Sequence, residues 1–222
     1  MLAALRPPIE GITGDHGESP STTATAPPMP LPATSRSLPA GSYVLPDFEP
    51  RTQFSLGEGW HRPHFDRSFL VDLSPVGDDD SLISIFTVLN LVDPARTYPS
   101  LAAVRRPEAA ISPPDDLVAW LKSHPNLAVT SSSSFVTASG LKGHRLEVSL
   151  RGSNARCPEE CSALFHFGRT VFVFLPLNRN RLYLISAGEQ TVVLAVESRS
   201  ERFDEAAATA EQIIASLKVG SP

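Results

Sequence analysis

The chain has 222 residues, a formal net charge of −5 and only 19% charged residues. Its basic residues form no run longer than Arg105-Arg106, so the composition argues against a nucleic-acid partner and against binding to anionic membrane surfaces. No apolar stretch approaches the roughly 18 residues that a membrane-spanning helix needs. The sequence therefore predicts a chain without a transmembrane segment.

The N-terminal region differs in composition from the rest of the chain. The first fifty residues hold ten of the 21 prolines, and Asp15 to Ala40 is mostly Ser, Thr, Pro and Ala without an apolar period. Such a segment buries too little surface to offset the entropy of ordering it. We expect a disordered arm over residues 1–40 and a single globular domain over residues 41–222. The apolar stretch Met1 to Leu5 is too short for the core of a signal peptide.

The folded part begins with short strands and turns. Alternating or fully apolar runs predict strands at 52–56, 69–73, 82–91, 146–150, 164–167, 171–175, 182–185 and 192–196. The polar, Ser-rich run 128–138 is predicted to form an edge or bulged strand. Residues 93–110 show no clean period, so we expect a loop with at most one helical turn. Several of the later strands are apolar at every position, which requires cover on both faces of the sheet.

Two helices are predicted between and after these strands. Ser112 is the expected cap of the first, with Pro113 at its first position, and His124-Pro125 ends it. The second runs from Phe203 to Leu217, where apolar residues recur at spacings of three and four. Few crossover helices imply antiparallel pairing. The predicted fold class is α+β, with an antiparallel sheet of about six to eight strands flanked by helices on both faces.

Two segments resemble PsbP-like domains. Thr52 to Trp60 is similar to their opening strand, which reads aromatic-Ser-apolar-x-x-Gly-Trp. Thr191 to Val196, followed by Phe203-Asp204 and a helix, resembles their closing strand and helix. The resemblance covers roughly residues 38–219 and implies a PsbP-like α/β/α sandwich. Since PsbP-like domains are generally non-enzymatic assembly or binding modules, it implies no catalytic residue and no cofactor.

Two further segments resemble a bacterial family of uncharacterised extracytoplasmic domains, mostly actinobacterial and Chloroflexi-like. Pro114 to Leu121 together with His124-Pro125 carries this resemblance. In that family a Cys pair precedes a Leu-Phe strand, as Cys157 and Cys161 precede Leu164-Phe165 here. The resemblance implies a location outside the cytoplasm, at the cell surface or secreted, and the arm suggests surface tethering.

Cys157 and Cys161 are the only cysteines, and they lie in one polar loop between predicted strands. A disulfide is the favoured interpretation, and its small ring would stabilise the fold by roughly 2 kcal/mol. Free thiols and a metal site remain as alternatives. The metal is the least favoured, because Cys-x3-Cys departs from the usual Cys-x2-Cys spacing. Its further ligands would be His166 and one of His61, His64 and His144.

Trp60 and Trp120 are the only tryptophans, and both lie at the boundary of a predicted element. Packing in the core is the favoured interpretation. The alternative is a surface for a ligand or partner, because a tryptophan that lines a cleft often contributes much of the binding energy.

Other motifs are weaker. Asp78-Asp79-Asp80, with Asp72 nearby, lacks the mid-loop glycine of a calcium loop and predicts a solvated hairpin tip. Ser139 to Lys142 matches a Ser-x-x-Lys nucleophile pattern but contains Gly140 in a predicted turn. Arg169, Arg179 and Arg181 could form a small basic spot, but a solvated rim is the favoured interpretation.

The sequence thus predicts a non-enzymatic extracytoplasmic binding or assembly module on a flexible tether, with an unidentified protein or small ligand as partner. One alternative is a hydrolase that uses the histidines and carboxylates of loops such as His61 to Asp66. Another is a cytosolic interaction domain, which free thiols would favour.

Overall fold

The computed structural model describes residues 26–45, 48–62, 69–78, 80–152, 162–175, 178–199 and 201–220. The strands in these ranges are β1 Met29–Pro30, β2 Ser35–Leu38, β3 Gly41–Leu45, β4 Thr52–Leu56, β5 Trp60–Arg62, β6 Leu70–Pro75, β7 Ser81–Thr87, β8 Asn90–Val92, β9 Ala110–Ile111, β10 Leu127–Val136, β11 Lys142–Leu150, β12 Ser162–Phe167, β13 Thr170–Phe174, β14 Asn178–Ala187, β15 Gln190–Arg199 and β16 Lys218–Val219. The α-helices are α1 Leu101–Val104, α2 Leu117–Ser123 and α3 Phe203–Ser216.

Eight strands form the central sheet, in the order β10-β11-β14-β15-β7-β6-β5-β2. All seven neighbouring pairs are antiparallel. Three of these pairs join consecutive strands through short turns, because Gly77, Gly140 and Gly188 take positive φ angles that other residues rarely adopt. The predicted α+β class with a large antiparallel sheet is confirmed.

Two smaller sheets accompany the central one. The first has the order β1-β3-β4-β16, with β1 parallel to β3, and the second has the order β13-β12-β8-β9. The first packs with α3 against one face of the central sheet in a shared apolar cluster. The second packs with α2 against the opposite face in another cluster. Each face of the central sheet is therefore covered by one helix together with a small sheet.

Strand β15 shows why the later strands are apolar at every position. Val192, Leu194 and Val196 belong to the cluster on the α3 face. Val193 and Ala195, which alternate with them, belong to the cluster on the α2 face. Because successive side chains of a strand point to opposite faces, cover on both sides requires an uninterrupted apolar run.

The helices begin and end at somewhat different residues from those predicted. Helix α2 begins at Leu117, where the Asp116 carboxylate accepts a hydrogen bond from the Ala119 amide at 2.8 Å. Ser112 is not the cap, because Pro113 and Pro114 disfavour helical geometry at the residue before each of them. Helix α3 follows its predicted apolar stripe and ends at Ser216, after which the chain enters β16.

Part of the predicted disordered arm forms strands in the structure. Residues 29–30 and 35–38 are β1 and β2, which pair with β3 and β5. Leu31 and Leu38 are 4% and 2% exposed and belong to the cluster on the α3 face. Composition alone does not predict this packing. A few isolated leucines, together with backbone pairing, can order a segment that has no apolar period. Residues 1–25 lie outside the described ranges.

None of the helices in the described ranges is long and apolar enough to span a bilayer.

Candidate binding groove at the edge of the central sheet

A groove of about 350 Å³ lies between the end of β10 and the last turns of α3. Its apolar lining comes from Phe135 and Val136 on β10, Tyr183 on β14, and Ile214 and Ala215 on α3. The rings of Phe135 and Tyr183 meet edge to face, with their centroids 6.0 Å apart. A concave site of this size and mixed lining is typical of ligand and peptide pockets.

Gly143 on β11 makes room for the Phe135 ring. It lies between Phe135 and Ile185 in the register of the sheet. A Cβ atom at residue 143 would lie 2.5 Å from the Phe135 ring and 2.8 Å from the carbonyl oxygen of Leu184. The glycine therefore leaves room for the aromatic ring beside residue 143, where the ring forms part of the groove.

Charged side chains form a network at the rim of the groove. The Glu211 carboxylate on α3 accepts from Arg145 at 3.2 Å and from Arg181 at 3.3 Å. Arg181 also donates to Glu147 at 2.5 Å, and its side chain is only 15% exposed. Partial burial makes this network stronger than an isolated surface ion pair. It fixes α3 to β11 and β14 and leaves Arg145 and Glu211 partly accessible.

Tyr183 serves this network as a hydrogen-bond donor. Its hydroxyl donates to Glu211 at 3.3 Å. Burial is the largest influence and raises the pKa of Tyr183 to about 12, with Arg181 opposing and Glu211 adding to the rise. The hydroxyl thus remains protonated at physiological pH.

The turn between β10 and β11 is anchored to the end of α3. The Ser139 hydroxyl donates to the carbonyl oxygen of Leu217 at 2.6 Å. The Thr137 hydroxyl oxygen accepts from the Leu141 amide at 3.0 Å. Ser139 therefore has a structural role in a turn that contains Gly140 with φ +85, which is incompatible with the helical Ser-x-x-Lys arrangement.

Strand β10 is an edge of the central sheet and pairs with β11 alone among the described strands. Its ten residues include no charged residue and no proline. Ser131 to Ser134 are exposed, and Val136 is 66% exposed. Natural sheet edges usually carry charges, prolines or cover that prevent pairing with another chain. Here a β-bulge between Val129 and Ser131 is the main irregularity.

Trp60 and Trp120 lie in different apolar clusters, so the structure does not bring them together. Trp60 is 7% exposed in the cluster on the α3 face. It also lines a second cavity, of about 290 Å³, with Arg202 and Glu205 at the start of α3. Trp120 is half-buried on α2, and its ring lies 4.9 Å from that of His124. Whether either tryptophan contacts a ligand stays a prediction.

The cysteines of the predicted disulfide lie outside the described residues. So does most of the His61 to Asp66 loop, on which the hydrolase alternative rests. Cys157 and Cys161 are in the range 153–161, and His64 and Asp66 are in the range 63–68. The disulfide therefore stays a prediction.

The described histidines of the metal alternative lie apart. His166 is buried on β12 against the carbonyl of Arg106 at 3.1 Å, whereas His144 is exposed on β11. His61 is on β5, at the other end of the central sheet from β11. Within the ranges that the structure describes, no three His, Cys, Asp or Glu side chains come together in a way that could hold a metal.

Two of the three aspartates of the predicted hairpin tip, Asp78 and Asp80, form ion pairs. Asp78 pairs with Arg202 at 3.2 Å, and Asp80 pairs with Arg199 at 3.4 Å. Burial would raise the pKa of Asp78, but hydrogen bonds to Ser81 and Asp80 and the charge of Arg202 outweigh it and lower the pKa. Asp72 is not part of this tip, because it is buried on β6 beside Ser84.

Arg169, Arg179 and Arg181 do not come together as a basic spot. Arg179 and Arg181 lie over the Phe203 ring, 4.1 and 5.2 Å from its centroid, whereas Arg169 is exposed in the turn between β12 and β13. Arg179 pairs with Asp204 and Arg181 with two glutamates, so the acids neutralise both charges.

Sequence reasoning missed the groove. Phe135, Tyr183 and Glu211 come from three distant segments, and only the sheet register and the position of α3 bring them together. The available signal was the uncharged Ser-rich run in β10, which the sequence predicts as an edge or bulged strand.

No family model and no curated protein matches the chain. Among solved structures, the chain is similar to the solution structure of cyanobacterial PsbP (CyanoP) from Synechocystis sp. PCC 6803. The identity is 12%, the TM-score is 0.41, and the match covers 76% of this chain and 86% of that one.

Proposed function

We propose that the protein is a non-enzymatic binding module that takes an extended segment of a partner protein onto the edge of β10, which no other described strand pairs with. The observation that carries this proposal is a ten-residue edge strand without a charged residue or proline, which ends in an apolar groove. An edge strand offers unpaired backbone N–H and C=O groups, and an incoming segment can pair with them as an additional strand.

The contacts around β10 define what such a segment must present. Leu127, at the start of β10, packs against α2, so the accessible part of the edge is the Ser-rich stretch that leads to Val136. There the backbone of the segment would supply affinity. An apolar side chain of the segment would enter the groove against Phe135 and Tyr183, which would supply specificity.

A small-molecule or hydrolase function has weaker support. Catalysis needs titratable groups that converge on one reacting atom. The groove offers Arg145 and Glu211, which neutralise each other at its rim. The hydrolase alternative rests on His61 to Asp66, most of which lies outside the described residues, and it stays untested.

The test is selection of ten-residue peptides from a displayed random library on the full chain, followed by amide NMR shifts on the same chain. We expect the selected peptides to share apolar residues at alternate positions, and their shifts to concentrate in β10, β11 and the end of α3. Ser132→Lys adds a charge to the exposed edge, and Val136→Asp adds one beside the groove. Each is expected to weaken binding at least about tenfold, a loss of about 1.4 kcal/mol.

Val76→Asp is the matched control, because Val76 is also an exposed valine but lines the cavity beside Trp60. It should leave binding unchanged. Peptides that lose affinity only with Val76→Asp would place the binding site at the Trp60 cavity and overturn the proposal for β10. The proposal would also be contradicted if Ser132→Lys weakened the binding of none of the selected peptides.

The proposal includes a location outside the cytoplasm, with the N-terminal arm as a tether. The Cys pair and the resemblance to extracytoplasmic bacterial domains support it. The test is alkylation of Cys157 and Cys161 without reductant in acid-quenched native cells, read by intact mass. Blocked thiols would support the location, whereas full alkylation of both would favour a cytosolic interaction domain.

A further inference from the structure

A glutamate lies inside the fold on the α2 face of the central sheet. Glu197 on β15 is 8% exposed, and its Oε1 atom is inaccessible and lacks a hydrogen-bond partner among the residues that the structure describes. An ionised carboxylate is very costly to bury without a partner, so such a group usually becomes neutral instead. Glu197 is therefore a candidate for a buried acid that keeps its proton.

Asn180 on β14 is the residue directly opposite Glu197 in the sheet. It is 1% exposed, and its Oδ1 atom also lacks a partner in the described part of the chain. Both side chains face the α2 side, because Leu182 and Ala195, each two residues away on the same strand, belong to the cluster on that face. Directly opposite residues have Cβ atoms about 4.5–5.5 Å apart, so the two side chains lie next to each other.

The orientation of the Asn180 amide is set by its other hydrogen bond. Its nitrogen donates to the carbonyl oxygen of Asn178 at 3.1 Å. Because a carbonyl oxygen only accepts, the nitrogen must take this position, and the amide oxygen is left without a donor. An ionised Glu197 would place a further acceptor beside it. A proton on Glu197 supplies the missing donor, and one hydrogen bond then satisfies both oxygen atoms.

The electrostatic surroundings favour the same protonated state. Burial is the largest influence, followed by the charge of Asp72, and together they raise the pKa of Glu197 to about 8. Asp72 lies on β6, where it accepts a hydrogen bond from the Ser84 hydroxyl. The proton therefore removes a buried charge that would repel a second carboxylate.

The other elements around Glu197 contribute apolar side chains. Leu82 lies opposite it on β7, and Val171 to Val173 of β13 line the same cavity. Arg199, two residues further along β15, is exposed and pairs with Asp80 at 3.4 Å. None of the ion pairs among the described residues includes Glu197.

Strand β13 is the element that this proton affects. Glu197 and Val171 to Val173 line a cavity of about 210 Å³ between the central sheet and β13. A charge on Glu197 would need hydration beside these apolar side chains. We propose that Glu197 is protonated in the folded chain at neutral pH and donates to Asn180 Oδ1, and that loss of this proton in alkaline solution loosens β13. This inference does not depend on binding at β10, because Phe135 and Tyr183 pack on the α3 face.

The buried pair makes stability depend on pH in a defined direction. The folded chain keeps a proton that Glu197 in the unfolded chain, with an ordinary pKa of 4.5, loses in mild acid. Because the folded state binds more protons, the free energy of unfolding falls as the pH rises from 4.5 to about 8. Glu197→Gln keeps the shape of the protonated side chain and donates to Asn180 without titrating, so it avoids this loss.

The first experiment is urea unfolding of the parent chain and of Glu197→Gln between about pH 5.5 and pH 7.5. We expect the unfolding equilibrium constant of the parent to rise relative to that of the variant by about tenfold per pH unit. Glu189→Gln removes an exposed acid from the turn between β14 and β15 and is the matched control. It should follow the parent chain.

The second experiment observes the proton directly by ¹³C NMR of the glutamate side-chain carboxyl groups. The Glu197 signal, assigned by its absence in Glu197→Gln, should titrate with a midpoint near pH 8. Amide hydrogen exchange of Val171 to Val173 should be faster in the parent than in Glu197→Gln at about pH 9. At about pH 6.5 the two chains should exchange equally, because Glu197 is then protonated.

Two results would overturn the inference. The first is a Glu197 signal that titrates near pH 4.5 in the folded chain, which would show an ionised carboxylate at neutral pH. The second is an equal pH dependence of the unfolding constants of the parent and Glu197→Gln, which would show that folding does not retain this proton.

Discussion

His124 shows how burial changes an ionisable side chain. It follows α2, is 3% exposed, and its Nδ1 atom accepts a hydrogen bond from the Asn126 amide at 3.2 Å. Burial lowers the pKa of His124 to about 4 from the ordinary value of 6.5. The folded chain thus keeps this ring neutral over a pH range in which the unfolded chain takes up a proton.

The predicted consequence is a loss of stability in mild acid. Because the unfolded state binds more protons between pH 6.5 and 4, the free energy of unfolding falls as the pH falls through this window. His124→Asn keeps an acceptor for the Asn126 amide but does not titrate there. From pH 7 to pH 5 the parent chain should lose on the order of 1 kcal/mol more than the variant, measured by urea unfolding. An equal fall in the free energy of unfolding of the two chains between pH 7 and pH 5 would contradict this explanation.

At the scale of secondary-structure elements, β10, β11 and α3 act together as one unit. The Ser139 hydroxyl joins the turn between the strands to the end of the helix, and Glu211 joins the helix to β11 and β14. The groove depends on this assembly, because its two walls belong to elements more than sixty residues apart in sequence.

Gly143→Ala tests this unit. The new methyl group would lie within 3 Å of both the Phe135 ring and the Leu184 carbonyl, so the ring or the strand must move. We expect a loss of about 1–3 kcal/mol in the free energy of unfolding, together with displaced NMR signals of Phe135. Gly57→Ala is the control, because its Cβ would meet nothing within 4 Å, and it should change stability by less than about 0.5 kcal/mol. Equal effects of the two changes would refute the close approach.

For the whole molecule, the main feature is a central sheet that is covered on both faces. Among the described residues the apolar side chains form a separate cluster on each face, and alternate positions of β14 and β15 contribute to both. Leu194 faces the α3 side and is 1% exposed, whereas Leu182 faces the α2 side and is 0% exposed.

Truncation of either leucine should therefore be costly. We expect Leu194→Ala and Leu182→Ala each to lower the free energy of unfolding by about 2–5 kcal/mol, because each leaves a cavity in a packed cluster. Leu89→Ala, at a site that is 44% exposed, should cost less than about 0.5 kcal/mol. Chemical denaturation of the three variants provides the measurement. A small effect at Leu182 alone would show that the α2 face is open to solvent.

The sequence by itself determined the fold class and most elements. Strand β4, the all-apolar later strands and α3 were predictable, because their periods are local and the chain within each element carries the pattern. The all-apolar strands also indicated that both faces are covered. The short strands β1, β9 and β16 were not predictable, since two residues carry no period.

Only the tertiary structure decided which side chains meet. In the sequence, Glu197 is a single polar residue near the end of an apolar strand. The pairing of β15 with β7 and of β7 with β6 brings Asp72 near it. Phe135 and Tyr183 come together in the same way, through strand register. Register and sheet order depend on contacts between distant segments, and no local pattern encodes them. The candidate groove of this protein therefore arises from pairing across the sheet together with the packing of α3.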